Sequence, residues 1–182
     1  MNFTYETDRL ILKVLQPVHA QMVLDFVSDN AEVFSSFEPV VAENYYTVEH
    51  QEAILEYEYN HFLKLEMIRY YVFLKDEPDK IIGTVSFRNI QKPVYSTCTL
   101  GYKIHKDYWH NGLCYEAIDK LIDELTLELG IHRIEAYVMP DNFPSIGLLE
   151  KLGFEKEGLL RDKISIKGAW EDHYIYSLIT EA

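Results

Sequence analysis

The sequence predicts an α/β (α+β) domain built around a mixed sheet, and three observations lead there. Of its 182 residues, 48% are hydrophobic, enough to bury one sizeable core and too few to call for a second. Runs rich in aromatic and β-branched residues alternate with stretches of helical periodicity instead of collecting in one half. No repeat, low-complexity tract or Pro/Ser-rich linker divides the chain, so residues 1–182 are expected to form a single domain.

The first strand is expected over residues 9–15. After Pro17 the apolar positions Met22, Val23, Phe26 and Val27 recur at helical spacing. Thr47 can cap a second helix that runs through Ile54, Leu55, Phe62 and Leu63 with glutamates between them. Strand-like runs follow at 69–75, 81–90 and 97–104, the first two separated by the Asp76-Glu77-Pro78-Asp79 turn. A helix is expected over 113–129, with apolar residues at 114, 118, 121, 125 and 129 on one face and Gly130 as its stop. Another strand lies at 133–139 and a short helix at 142–152, with Pro144 in its first turn. Two last strands, 154–161 and 172–179, meet around Lys167-Gly168. The order is β-α-α-β-β-β-α-β-α-β-β, about seven strands flanked by about four helices, with mixed strand directions.

Charge narrows the function. A formal net charge of −13 argues against nucleic acid as a direct partner, because phosphate contacts need a basic surface. It suits a cationic partner instead. Residues 31–66 concentrate this charge: Glu32, Glu38, Glu43, Glu49, Glu52, Glu56, Glu58 and Glu66 stand against Lys64 alone. They read either as a solvated helical face or as an acidic wall. The start of the chain lacks the basic and apolar stretches of a signal peptide, and no apolar run approaches the roughly 18 residues of a membrane span. A cytoplasmic location without membrane attachment is expected. Cys98 and Cys114 are too few for a disulfide framework, and the histidines at 19, 50, 61, 105, 110, 132 and 173 show no ligand spacing, so no metal is expected.

Two segments carry the chemistry. Residues 101–117 read as a strand, a short loop and a helix starting at or after Gly112. Such a loop presents unpaired backbone N–H groups at the positive end of a helix dipole, and a glycine lets a phosphate approach the main chain. It matches neither of the Gly-rich nucleotide fingerprints. Residues 139–154 place Asn142 and Ser145 at the mouth of the next helix, where either can serve as its cap. His105 and His110 flank the loop, and Tyr45, Tyr46, Tyr57 and Tyr59 can line a groove or pack as core.

Taken together, the motifs resemble those of the GCN5-related N-acetyltransferases, in the branch that modifies ribosomal-protein alanine and serine N-termini. The resemblance spans almost the whole chain. It rests on Thr7-Asp8-Arg9-Leu10, Gly101-Tyr102 leading to Tyr108-Trp109 and Gly112, His132-Arg133-Ile134-Glu135, and the pair Asn142 and Ser145. It extends through residues 150–158 and 168–173. The resemblance implies acetyl-CoA as the cofactor-substrate. Its pantetheine arm would lie between splayed strands 97–104 and 133–139 against Tyr102, Lys103 and Ile104, with its pyrophosphate on the main chain of His110, Asn111, Gly112, Leu113, Cys114 and Tyr115. Asn142 would meet the pantetheine end, and Ser145 would be the catalytic proton donor to the departing thiolate. The Glu-rich residues 31–66 would border the acceptor cleft.

Two departures stand out. The family's loop usually begins with Gln or Arg and ends with Gly or Ala, where this chain has Trp109 and Cys114. Many relatives also carry a glutamate base two residues before the Gly-Tyr pair, where this chain has Thr99. An α-amine of pKa near 8 is already roughly a tenth neutral at pH 7, whereas a lysine near 10.4 is neutral about once in two thousand. The absent glutamate therefore leans toward an α-amino acceptor, the N-terminus of a basic protein or peptide. The alternatives are an acetyltransferase for a small polyamine or aminoglycoside, or a non-catalytic acyl-CoA-binding module. Monomer and homodimer are both open.

Overall fold

The computed structural model describes residues 1–91 and 94–180. Eight strands form one sheet in the order β1-β2-β3-β4-β5-β6-β8-β7. They are β1 Thr4–Glu6, β2 Leu10–Lys13, β3 Ile68–Leu74, β4 Gly83–Gln91, β5 Thr97–Ile104, β6 Arg133–Val138, β7 Glu155–Ile166 and β8 Ala169–Ile179. Every neighbouring pair is antiparallel except β5 and β6, which are parallel and joined through a helix. The helices are α1 Ala20–Asp29, the short α2 Ala31–Phe34, α3 Val48–Lys64, α4 Leu113–Leu129 and α5 Phe143–Lys151. The expected order holds, with two additions. Strand β1 was missed because three residues with only Tyr5 buried carry no readable alternation, and α2 because four residues are too few for a helical period.

Local chemistry sets several boundaries. Thr47 caps α3, accepting the His50 N–H at 3.3 Å. Gly112 and Gly130 bracket α4 with φ of 72° and 61°, left-handed values that other residues adopt at a cost. The β7–β8 hairpin closes through Lys167 and Gly168, both at positive φ, which matches the strands' right-handed twist. Both hairpin strands run longer than expected, because cross-strand pairing extends them past the residues whose own composition favours β structure.

The sheet is covered on both faces. A larger core lies under α4 and α5, where Ala117, Ile118, Leu121 and Leu125 meet Cys98 and Leu100 of β5, Ile134, Ala136 and Val138 of β6, and Leu149. A smaller one lies under α1 and the middle of α3, where Phe26 and Leu55 meet Tyr71 and Phe73. Strands β5 and β6 therefore send alternate residues to opposite faces: Leu100 and Tyr102 toward α4 and α5, Thr99, Gly101, Lys103, Glu135 and Tyr137 toward the other side.

Helix α3 sits differently from its apolar pattern. Its buried side is Gln51, Leu55, Glu58 and Phe62, while Leu63 is exposed. Glu58 accounts for the rotation: it takes Arg69 Nη1 at 2.5 Å and the Tyr71 hydroxyl at 2.9 Å. Burial pushes the Tyr71 phenol well above its ordinary pKa, so it donates as a neutral group. Removing one partner of a buried pair leaves the other charge uncompensated. Glu58→Ala should lower the unfolding free energy by about 3 kcal/mol in urea titrations, whereas Glu52→Ala on the outer side of α3 should stay within about 0.5 kcal/mol of the parent.

Candidate active site

Strands β5 and β6 pair for only four residues, from Thr97 opposite Arg133 to Leu100 opposite Ala136. Beyond that point β5 continues to Ile104 along β4, and β6 continues to Val138 along β8. The inner edges of Gly101, Tyr102, Lys103 and Ile104 and of Tyr137 and Val138 thus face each other across a gap instead of bonding. The gap offers main-chain N–H and C=O groups that a ligand with amides of its own can satisfy.

The start of α4 closes one end of this gap. The N–H groups of Leu113, Cys114 and Tyr115 have no intrahelical acceptor, and Gly112 has no side chain with which to cap them. A Cβ on Gly112 would meet only the Arg9 guanidinium, at 3.7 Å, so the absent side chain leaves room over the main chain for a phosphate. His110, an exposed residue, also adopts a positive φ of 61° in the tight loop before α4. Arg9 holds this shape: Nη1 donates to the Asn111 carbonyl at 2.9 Å, and Nε and Nη2 bind Glu116 at 2.7 and 2.6 Å. Thr7 donates to the other Glu116 oxygen at 2.5 Å. Burial raises the Glu116 pKa, but the hydrogen bonds from Thr7 and Arg9 outweigh it and hold the carboxyl below its usual range. The Thr7-Asp8-Arg9-Leu10 motif thus has a structural task, visible only once β2 and α4 are adjacent.

Following β6, Asn142 caps α5 by accepting the Ser145 N–H at 3.3 Å, leaving its amide NH₂ free to donate. Ser145 Oγ lies 2.6 Å from the Tyr102 hydroxyl. Burial drives the Tyr102 pKa upward against the opposing hydrogen bond from Ser145, so the phenol keeps its proton. When Tyr102 donates to Ser145, the serine O–H is free to donate in turn. Tyr102 was expected only to lend its main chain; the side-chain pairing appears where β5 and α5 converge.

Other expected residues divide. The Lys103 side chain turns away from the gap, binding Glu38 at 2.7 Å over the Phe34 ring, so only its main chain fronts the gap. His105, beside the loop, is buried and caps the following turn, its Nδ1 accepting the Asp107 N–H at 3.2 Å. Burial, helped by Lys80, lowers its pKa and keeps it neutral. Burial also pushes the Cys98 and Cys114 thiols up to about 12, which removes them as nucleophiles near neutral pH. Tyr45 and Tyr46 line a cavity of about 180 Å³ with Phe34, Glu38 and Val41, whereas Tyr57 stands exposed against His61. Among the glutamates of 31–66, Glu38 and Glu58 are tied to Lys103 and Arg69, and Glu49, Glu52 and Glu56 are exposed on the outer side of α3. Glu49, Glu52 and Glu56 thus form a solvated helical face, while Glu58 and Glu38 reach cations of β3 and β5. The carboxylate opposite Thr99 across the β5–β6 ladder is Glu135, which accepts from Arg133 Nε at 2.8 Å and the Tyr137 hydroxyl at 2.9 Å.

An open parallel pair, an uncapped helix start and a polar pair at the far helix define a fold class, and sequence comparison agrees with it. The acetyltransferase (GNAT) domain family matches residues 9–155, and the chain belongs to that family of N-acetyltransferases. It is 36% identical over 171 residues to the probable N-acetyltransferase YjcK of Bacillus subtilis, covering 93% of each chain. It is 33% identical to the [ribosomal protein uS5]-alanine N-acetyltransferase of Escherichia coli, over 96% of this chain and 89% of that one. The crystal structure of ribosomal-protein-S5-alanine acetyltransferase from Vibrio fischeri superposes with a TM-score of 0.93 at 28% identity, over 99% of this chain and 98% of that one.

The loop geometry makes a binding prediction. Acetyl-CoA should raise the melting temperature of the parent protein, and Gly112→Val should abolish the shift by crowding the main chain that the phosphates need. Equal shifts in the parent and a correctly folded variant would place the phosphates elsewhere.

Proposed function

We propose that residues 1–182 work as one cytoplasmic N-acetyltransferase domain that takes acetyl-CoA as donor and the N-terminal α-amine of a ribosomal-type protein as acceptor. The observation that carries this reading is the parting of β5 and β6 after Leu100 and Ala136, with the uncapped α4 start following one strand and the Tyr102–Ser145 pair joining the start of α5 to the other. In it, Tyr102, Lys103 and Ile104 offer main-chain groups to the pantetheine amides, Asn142 donates from its free NH₂, and residues His110 to Tyr115 hold the pyrophosphate. No helix among the described residues is long and apolar enough to cross a membrane.

Direct transfer needs three services from the protein. Main-chain N–H groups along the open edge of β5 stabilise the oxygen of the thioester carbonyl as charge develops there. Ser145 hands its proton to the departing sulfur and takes one from Tyr102, and Tyr102, which burial favours as a phenol, recovers its proton from solvent, to which the amine releases one. The amine enters from the face of Thr99 and Gly101 and loses its extra proton to solvent. An α-amine of pKa near 8 suits a site without a dedicated base, because roughly a tenth of it is already neutral at pH 7. The relatives named for uS5 alanine support the same acceptor class. The net charge of −13 favours acceptors with a basic body through the field of the whole protein.

Two measurements test this reading. Mass spectrometry should find the acetyl group on the α-amine of Ala- or Ser-initiated peptides with basic bodies, and those peptides should lose their advantage over acidic ones as salt rises. A peptide with a blocked α-amine and a free lysine should be a poor acceptor, and equal rates for blocked and free peptides would overturn the assignment. Ser145→Ala should lower kcat by roughly 10- to 100-fold with little change in acetyl-CoA binding. An unchanged kcat when chemistry limits the rate would leave Ser145 as a helix-cap partner only.

A further inference from the structure

The face from which the amine enters carries a charge imbalance that transfer itself does not use. Around Gly101 lie three cations, Arg69, Arg88 and Lys103, on β3, β4 and β5. Two carboxylates answer them: Glu58 is bound to Arg69 at 2.5 Å and Glu38 to Lys103 at 2.7 Å. The next carboxylate on this face, Glu135, is taken by Arg133 and Tyr137. Arg88 makes no ion pair or side-chain hydrogen bond among the described residues. The cluster therefore has one positive charge in excess, and it belongs to Arg88.

Its placement ties this charge to the gap. Arg88 pairs with Thr99 in the β4–β5 ladder, yet its guanidinium leans across to the next residue pair, and a Cβ on Gly101 would sit 3.1 Å from Nη2. Gly101 is the first residue of β5 beyond the end of the β5–β6 pairing. The absent side chain lets a planar cation lie over the strand at that point. A bulge follows at once: the ladder skips between Arg88 and Gln91, with Asn89 at a φ of 53°. Bulges of this kind re-aim a neighbouring side chain and recur beside active sites. Burial of part of the side chain, reinforced by repulsion from Arg69, lowers the Arg88 pKa against the weaker pull of Glu38 and Glu58, while the residue as a whole stays exposed and open to a ligand.

We propose that Arg88 binds a side-chain carboxylate at the second or third residue of the acceptor, so that the enzyme selects an acidic residue close behind the acetylated amine. This rests on the α-amine reading above. An extended peptide advances about 3.5 Å per residue, so with its amine at Gly101 the second and third side chains fall within reach of a guanidinium over the same strand. Two guanidinium N–H groups match a carboxylate in a fork, a strong form of charge-assisted bond. Long-range attraction of a basic body by the net charge and short-range choice of one carboxylate act at different distances and do not conflict.

The test measures kcat/KM for paired Ala-initiated peptides that differ only by Glu or Gln at residue 2 or 3, with the same basic body. In the parent enzyme the better Glu peptide should exceed its Gln partner by about tenfold, mostly through KM. In Arg88→Gln the ratio should fall to about one, and in Arg88→Glu a Lys peptide should overtake the Glu peptide. The acetyl-CoA-induced thermal shift checks that each variant is folded. A ratio of one in the parent, or an unchanged ratio in Arg88→Gln, overturns the inference while leaving α-amine acetylation intact. Failure to acetylate any peptide α-amine would overturn the underlying reading and this inference with it.

Discussion

The structure turns on where two parallel strands stop bonding. Pairing between β5 and β6 ends after Leu100 and Ala136, and each strand then follows its other neighbour. A sheet interior normally satisfies its main-chain groups on both sides, so a parting in mid-sheet creates polar edges that call for a partner. The rest of the site is arranged around that opening: α4 presents its uncapped first turn to it, α5 sets Ser145 against Tyr102, and Gly101 begins the unpaired stretch of β5.

The two faces of the opening have different electrostatic characters. On the α4 and α5 side the groups are neutral and desolvated, with a phenol and two thiols held in their protonated forms. Proton donation to a leaving sulfur suits that environment. On the opposite side, ions are numerous but mostly spoken for, Glu58 and Glu38 by cations of β3 and β5 and Glu135 by Arg133 of its own strand. Such pairing holds α3 and the 35–46 segment against the sheet, and it turns the question of specificity from how many charges border the cleft to which of them is unpaired.

The Glu-rich segment illustrates the difference. As a string, eight glutamates against one lysine look like a single acidic feature. In the fold they separate: Glu49, Glu52 and Glu56 form an outer solvated face of α3, Glu58 is buried, Glu38 is tethered to Lys103, and Glu32, Glu43 and Glu66 lie outside α3. Helical spacing shows which residues share a side, but Glu58 shares its side with Leu55 and Phe62, and only Arg69 and Tyr71 on β3 explain why a charge can stay there.

The sequence alone determined what local chemistry controls. The limits of α4 are written in Gly112, Gly130 and the apolar spacing between them, β5 in its alternation, the hairpin in Lys167-Gly168, and the two site segments in their glycine, asparagine and serine signals. Only the tertiary structure decided what depends on residues far apart in the chain. It gave Arg9 and Thr7 their hold on Glu116, more than a hundred positions away, paired Tyr102 with Ser145, withdrew His105 into the interior and left Arg88 without an ion pair among the described residues. The reason is physical: periodicity and capping act within a few residues, whereas the pairing and burial of charges depend on which strands and helices become neighbours.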